Sequence, residues 1–443
     1  MSSVFTENLR IYNAQQFIQS VSEVGPTSIY LTFGRTLPWE DENNPPQANS
    51  TVSTYNEVWR NMIGAKRLGG NDMKHVIPRH DWSSNTVYNM YDNLLDSIDL
   101  LNANNKFYVL TEDWNVYKCL SNNYGTTSTV KPTSTATISN FQTTDGYIWK
   151  YMYTLSAEER LNYITDEYMP VKTLPLNDGS SQWLVQSSAI DGAIDVIKVT
   201  NGGTVNTSNV SIVITGDGVD ANAFAQVNTL SNTITSIIVD NRGSGYTYAN
   251  VDIRTGNTAV TNASARVVIS PPGGHGKDPL TELGGAYLLM NIKLRGSESG
   301  DKLIVNNDYR QIAIVEEPYY WKTTLPASNT VFTQLTTVSL NGVSAEYVED
   351  EIVYQGSSIA NATFKGTVAQ WDSSNNIMRL SNVEGTPAAE LLIGSTSTGA
   401  RFLDSVTAPD LQPYSGKLLY INNIKPIERS ADQTESFKIV LKF

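Results

Sequence analysis

One cysteine and three histidines are spread over 443 residues. A lone thiol, Cys119, cannot form a disulfide within the chain, so nothing points to an oxidising compartment. Three imidazoles leave few options for metal-dependent or histidine-based catalysis. Charge is scarce as well: Asp, Glu, Lys and Arg make up 17% of the residues, against about 25% in an average globular domain. The balance is acidic, with a formal net charge of −13. No Lys/Arg stripe is present to displace counterions from phosphates, which argues against nucleic acid as a partner. The same sign repels anionic membrane surfaces. No apolar run reaches the ~18 residues that span a bilayer, and the opening "MSSVFTENLRIYN" has no apolar signal-peptide core. A soluble product made in a cytoplasm is expected.

Ser, Thr and Asn take the place of the missing charge, together with 23 Tyr. That mixture suits strands and turns better than helices, and the length allows two or three domains. Two helices are predicted near the start. In residues 8–22, Ala14, Phe17, Ile18 and Val21 fall at helical spacing. In 54–68, Thr54 and Glu57 form a capping box, Tyr55, Val58, Trp59, Met62 and Ile63 make the apolar stripe, and Gly69 and Gly70 end it. From residue 74 strand signals dominate. "KFYVLTEDWNVYKCL" predicts a hairpin, 107–111 against 116–120. The closing "FKIVLKF" alternates Phe437, Ile439, Leu441 and Phe443 with Lys438, Val440 and Lys442, a half-buried terminal strand.

Residues 192–270 hold an internal repeat. "IDVIKVTNGG" from Ile194 matches "ITSIIVDNRG" from Ile234, 40 residues later, as I-x-x-I-x-V-x-N-x-G. Ala223, Ala225 and Val227 keep step with Ala263, Ala265 and Val267, and Gly216 with Gly256. Two copies are too few for a propeller or solenoid. The pattern fits a compact pseudo-symmetric β module inserted into a larger fold, with "SPPGGHGKDP" (270–279) as a flexible exit linker.

The search for chemistry finds little. His75, His80 and Asp81 lie together in "KHVIPRHDW", but a spacing of five on a strand sends the two imidazoles to opposite faces, against shared metal ligation. "GGHGKD" (273–278) lacks the Lys-Ser/Thr of a phosphate loop, and "NRGSGYTY" lacks the third glycine of a dinucleotide fingerprint. Asp217 and Asp220 sit in a glycine turn that the second copy repeats without carboxylates. Glu112 with Asp113, or the cluster Glu346, Glu349, Asp350 and Glu351, offers carboxylate pairs of the kind glycosidases use. Acidic surface turns are the commoner explanation. No catalytic residue, cofactor or metal is assigned.

One stretch stands out. In "DGYIWKYMYTL" (145–155), Tyr147, Trp149, Tyr151 and Tyr153 recur at a spacing of two, which places four aromatics on one face of a strand. Such a stripe serves as a sugar platform, a base-stacking surface or a packing layer. The acidic charge disfavours base stacking. The packing or interface role is the expectation, with hydroxyls reaching polar partners at the rim and Lys150 exposed on the opposite face.

Several stretches in order resemble one family: "IYLTFGRTLPWEDENNPP" (29–46), "MKHVIPRHDW" (73–82), "FYVLTEDWNVYKCLSNNYG" (107–125), "DGYIWKYMYTLS" (145–156) and "SGKLLYINNIKPIERSADQTESFKIVLKF" (415–443). Together they are similar to the gene-eight-type baseplate wedge subunit of T-even-like contractile-tailed bacteriophages. The resemblance covers most of 1–190 and about 272–443, while the repeat departs from the shorter members and looks like a lineage-specific insertion. It implies a mainly β fold: a layered antiparallel β-sandwich with a few peripheral helices and the inserted two-copy module. The expected division is 1–191 and 272–443 for the core and 192–271 for the module. It further implies a non-enzymatic structural protein of the virion tail baseplate, assembled in the bacterial host cytoplasm. The implied partners are a second copy in a homodimer, the core scaffold subunits of the wedge, and the peripheral fibre-linked subunit. The competing reading is a glycan-binding or polysaccharide-depolymerising tail protein.

Overall fold

Alternating β-branched and aromatic residues punctuated by Asn and Gly turns give a chain built mainly from antiparallel strands, with few helices. The computed structural model describes residues 4–22, 28–102, 104–205, 209–256, 258–296, 302–342 and 346–443. The first three residues of the opening stretch and Asn257 of the second repeat copy lie outside them. Two compact units are formed: Met1–Gln15 with Lys74–Met290 and Ile439–Phe443, and Gln16–Met73 with Asn291–Lys438. The boundaries expected near residues 191 and 272 both fall within the first unit.

The first predicted helix is Glu7–Ser22, with Ile11, Ala14 and Val21 buried. The second is shorter than expected, Val52–Asn61 instead of 54–68, and the cap also differs. Thr51, not Thr54, is the N-cap, its hydroxyl accepting from the Thr54 amide at 3.2 Å. Glu57, expected to close a capping box, pairs instead with Arg35 at 2.8 Å. Met62 and Ile63 belong to the strand Met62–Arg67, which runs between Ile29–Gly34 and Val331–Thr333. Tertiary pairing overrides the helical spacing here, and Gly64 is the reason it can. A Cβ at Gly64 would lie 2.4 Å from a Leu303 methyl and 3.0 Å from the Phe33 ring.

In the second unit those three strands continue into Asn307–Glu316 and Lys417–Arg429 as a five-stranded antiparallel sheet. Tyr30, Trp59, Met62, Ala65, Val315 and Phe332 pack on it. Residues 336–407 close into a six-stranded barrel, in the order Thr336–Asn341, Ile377–Gly385, Phe364–Asp372, Ile352–Gln355, Leu391–Gly394 and Ala400–Thr407. Its interior is filled by Val338, Val353, Phe364, Val368, Met378, Leu380 and Leu392, as in small barrels generally. The terminal strand Thr434–Lys442 buries Phe437 and Ile439 and exposes Lys438 and Lys442, in the expected alternation.

The repeat in the first unit forms a seven-stranded sheet. The first copy supplies Ile194–Gly202, Ser211–Gly216 and Val219–Asn228, and the second Thr233–Ser244, Ala249–Thr255 and Ala263–Ile269, with the two-residue Thr258–Ala259 as a seventh strand at the edge. Each copy's first strand pairs with the other copy's third, Ile197 opposite Val267 and Ile237 opposite Ala225. The middle strands pair with each other, Ser211 opposite Arg254 and Ile214 opposite Val251, and Ile197 faces its own repeat equivalent, Ile237. The copies have therefore exchanged strands about a pseudo-two-fold axis, and neither could bury its apolar positions alone. Where the sheet begins and ends the chain returns to itself. Ala193 and Ser270 exchange two hydrogen bonds of 3.0 and 2.9 Å, and the Gly273 amide donates to Asp191 at 2.7 Å.

The predicted hairpin is present as Tyr108–Leu110 against Asn115–Ser121. Ile148–Thr154 pairs with the latter on one side and with Phe141–Gln142 on the other. Both faces of this strand are covered: Trp149, Tyr151 and Tyr153 are buried, and so are Lys150 and Met152. Lys150 is thus not the exposed residue the alternation predicted. Trp149 is fully buried, stacked on Tyr147 at 5.5 Å with Tyr88 edge-on at 5.9 Å. Trp149→Ala is expected to lower stability by about 3–5 kcal/mol through lost transfer energy and the cavity left behind. Trp149→Phe should cost less, since the buried indole N–H has no hydrogen-bond partner to lose. Urea unfolding of the three proteins checks the order, and an alanine variant as stable as wild type would contradict it.

Candidate functional site

The four aromatics singled out by the sequence are held by neighbours on their own unit. The Tyr147 hydroxyl donates to the Thr126 carbonyl at 2.5 Å and accepts from the Tyr88 amide at 3.2 Å. The Tyr153 hydroxyl donates to the Pro170 carbonyl at 2.9 Å, and that of Tyr151 donates to the Thr154 hydroxyl at 2.6 Å, which in turn donates to Asn115. With Trp149 they belong to the main hydrophobic cluster of this unit. None offers a ring face to solvent.

The other candidates do not come together. His75 binds the Gly285 carbonyl through Nδ1 at 2.8 Å, His80 is buried against Tyr108, and Asp81 pairs with Arg79 at 2.8 Å. Glu112 and Asp113 share Lys131. In the second acidic cluster, Glu346 pairs with Arg401, and Glu351 accepts from the amides of Val348, Thr396 and Ser397. Burial opposes ionisation of Glu351, but those amides hold its carboxyl below the usual range. Asp217 clamps the turn of the other repeat copy; the Thr247 hydroxyl and amide lower its pKa to about 2. Among the described residues no three His, Cys, Asp or Glu side chains form a group able to hold a metal. The Cys119 thiol is buried and pushed well up by that burial, away from the reactive thiolate.

What the structure does bring together is a buried charge cluster that no motif announced. Lys118 and Glu282 pair at 2.7 Å with side chains 0% and 3% exposed. The other carboxylate oxygen of Glu282 accepts from the amides of Gly276 and Asp278 at 2.8 and 3.2 Å. The stretch expected to be a flexible exit linker is therefore folded onto a carboxylate, with Gly274, His275 and Gly276 buried. Its glycines take positive φ, 82° at Gly273, 98° at Gly274 and 85° at Gly276, a backbone open to glycine at little cost. Lys118 also lies 4.1 Å from the centre of the Tyr91 ring, whose face meets His275 edge-on at 4.9 Å.

Asp195, on the first strand of the repeat, completes the cluster. It accepts from Asn140 at 2.7 Å, pairs with Arg242 at 3.4 Å and approaches His275 at 3.8 Å. Lys150 donates to the carbonyls of Thr137 and Ile138 at 3.0 and 3.3 Å. Burial lowers the pKa of Lys118, against the pull of Glu282. Burial and the Arg242 charge bring Lys150 down to about 8. Burial, then Lys118, Lys150 and Arg242, hold His275 well below the ordinary imidazole value, so it is neutral at pH 7. The groups largely satisfy one another. The arrangement fastens the repeat's sheet to the strands beneath it and presents no nucleophile beside a base.

A cavity of about 410 Å³ opens beside the cluster, lined by Asp195, Arg242, Asn140, Tyr124 and Phe141 among others. The cluster has a pH signature. Folding holds the Lys150 ammonium less firmly than the unfolded chain does, with a pKa of about 8 against about 10.4. The unfolded chain then binds more protons between those values, so this lysine destabilises the fold below pH 8 and its penalty fades as pH rises. From pH 8 to 10 the wild type should gain stability relative to Lys150→Met. Urea midpoints across that window test this, and parallel profiles would contradict it.

A family model described as Bacteriophage T4, Gp8 matches residues 3–140. The baseplate wedge protein gp8 of Enterobacteria phage T4 is 25% identical over 212 residues, which make up 38% of this chain. The match spans 60% of that relative's length. Both similarities fall on the family that the motifs resemble, and together they support a gp8-type baseplate wedge protein.

Proposed function

We propose that this chain is a structural subunit of the tail baseplate wedge of a contractile-tailed phage and works through protein–protein interfaces, without catalysis. The observation that carries the proposal is the similarity to a baseplate wedge protein over 212 residues. The site chemistry is in keeping with it: the carboxylates of the Glu112 and Asp113 pair are tied to Lys131, and the buried ionisable groups serve as ties between strands. A homodimer, contacts with the core scaffold subunits and the fibre-linked subunit, and a part in host-triggered contraction belong to the same proposal and rest on the resemblance. No cofactor is invoked. The repeat module is proposed as an insertion into the wedge-protein core, because its two ends are hydrogen-bonded together.

The aromatic stripe that suggested the glycan-binding alternative offers it no platform, because Tyr147, Trp149, Tyr151 and Tyr153 are all covered. Cryo-EM of the intact tail tests the proposal, with sedimentation of the purified chain beside it. The expected result is density for this chain inside the baseplate and a dimer in solution. Density confined to a fibre or spike, or release of reducing ends from host polysaccharide, would overturn it.

A further inference from the structure

Fastening the repeat to the strands beneath it leaves the cavity of about 410 Å³, a size within the ~300–1,000 Å³ usual for ligand sites. One side is lined by the repeat strands Ile194–Gly202, Val219–Asn228 and Thr233–Ser244, the other by the turn at Tyr124 and the edge strand Phe141–Gln142. The repeat accounts for the opening. The first strands of the two copies pair at a single position, Ile197 opposite Ile237, and residues on both sides of that pair line the cavity. Different segments then hold the two copies. Asp195 accepts from Asn140 at 2.7 Å, and at the equivalent position 40 residues later the Thr235 carbonyl accepts from the Tyr124 hydroxyl at 2.7 Å.

The charges around the cavity balance, Lys198 and Arg242 against Asp195 and Asp240. A phosphate or a metal ion would need an excess of one sign, so the lining favours a neutral ligand. Asp195 and Arg242 pair with each other, whereas the side chains of Lys198 and Asp240 make no ion pair or hydrogen bond among the described residues. Two amides are half used. Gln226 gives its carbonyl oxygen to the Ser236 hydroxyl at 2.7 Å and keeps its amide N–H groups, while Gln142 donates to the Gly146 carbonyl at 3.3 Å and keeps its carbonyl oxygen. Donors at Lys198 and Gln226 and acceptors at Asp240 and Gln142 are therefore open together. That mixture matches a molecule whose polar groups each donate and accept, as hydroxyls do.

Apolar surface is open beside these groups. Tyr124 is 55% exposed although its hydroxyl is tied to Thr235, so the open part is chiefly the ring, and the tie holds that ring in place. Ile238 lines the cavity and is exposed, as is its cross-strand partner Phe224. A neutral ligand with hydroxyls around its rim and an apolar C–H face is a sugar ring, and an amphipathic tyrosine suits both parts of it. We propose that this cavity binds a neutral sugar unit, its C–H face on the Tyr124 ring and its hydroxyls shared among Lys198, Asp240, Gln142 and Gln226. The site binds without any role in catalysis. It does not rest on the wedge reading: a chain held inside a baseplate carries it equally well, and its absence would leave that reading standing.

The test uses the full-length chain and saturation-transfer NMR with glucose, galactose, mannose, rhamnose, N-acetylglucosamine and N-acetylgalactosamine as probes. At least one of these sugars is expected to give a saturable signal, and calorimetric titration with it should give one site per chain. Tyr124→Ala should weaken its binding about tenfold, the worth of an aromatic face in a well-formed contact. Asp240→Ala should also lose roughly tenfold, as expected for one hydrogen bond to a charged group. Asp240 is exposed and unpaired among the described residues, so this second variant folds and keeps the test open if Tyr124→Ala does not. The proposal is overturned if none of these sugars saturates the wild type, if Asp240→Ala binds like wild type, or if a folded Tyr124→Ala does.

Discussion

Lys118 and Glu282 meet with almost no access to water, and much of the first unit is arranged around that pair. Removing an ammonium and a carboxylate from water costs several kcal/mol per ion unless each finds good partners. Glu282 finds them in two amides of the loop Gly276–Asp278 side, and Lys118 in the Tyr91 ring. The loop must then run close to the strands. Gly276 supplies the closeness, since a Cβ there would lie 2.5 Å from a Val185 methyl. A charge pair far apart in sequence thus dictates the path of a glycine-rich segment that would otherwise be free.

The same logic extends into the repeat. Asp195 stands on its first strand and Arg242 on the equivalent strand of the second copy, so one ion pair of 3.4 Å joins the two copies. Asn140 ties that pair to the segment before Phe141–Gln142. Strand exchange makes the module a single cooperative object, and the buried charges fix where it sits on the strands below. For the structural role proposed above, such fixed junctions matter more than a cleft.

Much of this was legible in the sequence. Period-two alternation identified the hairpin, the aromatic strand and the terminal strand, and the 40-residue offset identified the repeat. Local pattern failed where distant partners decide. Met62 and Ile63 fit a helical stripe and a strand equally well, and pairing with Ile29–Gly34 chose the strand. Lys150 has the alternation of a solvent-facing residue, yet carbonyls at Thr137 and Ile138 cover it. Closure of the barrel rests on Thr336–Asn341 meeting Ala400–Thr407, a pairing no local signal encodes. The sequence places His275 in a linker, and only its three glycine neighbours signal a constrained loop. The acidic run 346–351 has the pattern of one cluster, but Glu346 pairs with Arg401 while Glu351 accepts from the amides of Val348, Thr396 and Ser397.

The central claim is that the buried Lys118–Glu282 pair acts as a unit that positions the loop and the strands it joins. A double-mutant cycle on the two residues measures this directly. Lys118→Met alone and Glu282→Leu alone should each lower stability by about 3–5 kcal/mol, because each leaves one buried charge uncompensated. The double replacement should cost far less than the sum of the two. Single losses that simply add in the double variant would contradict the account.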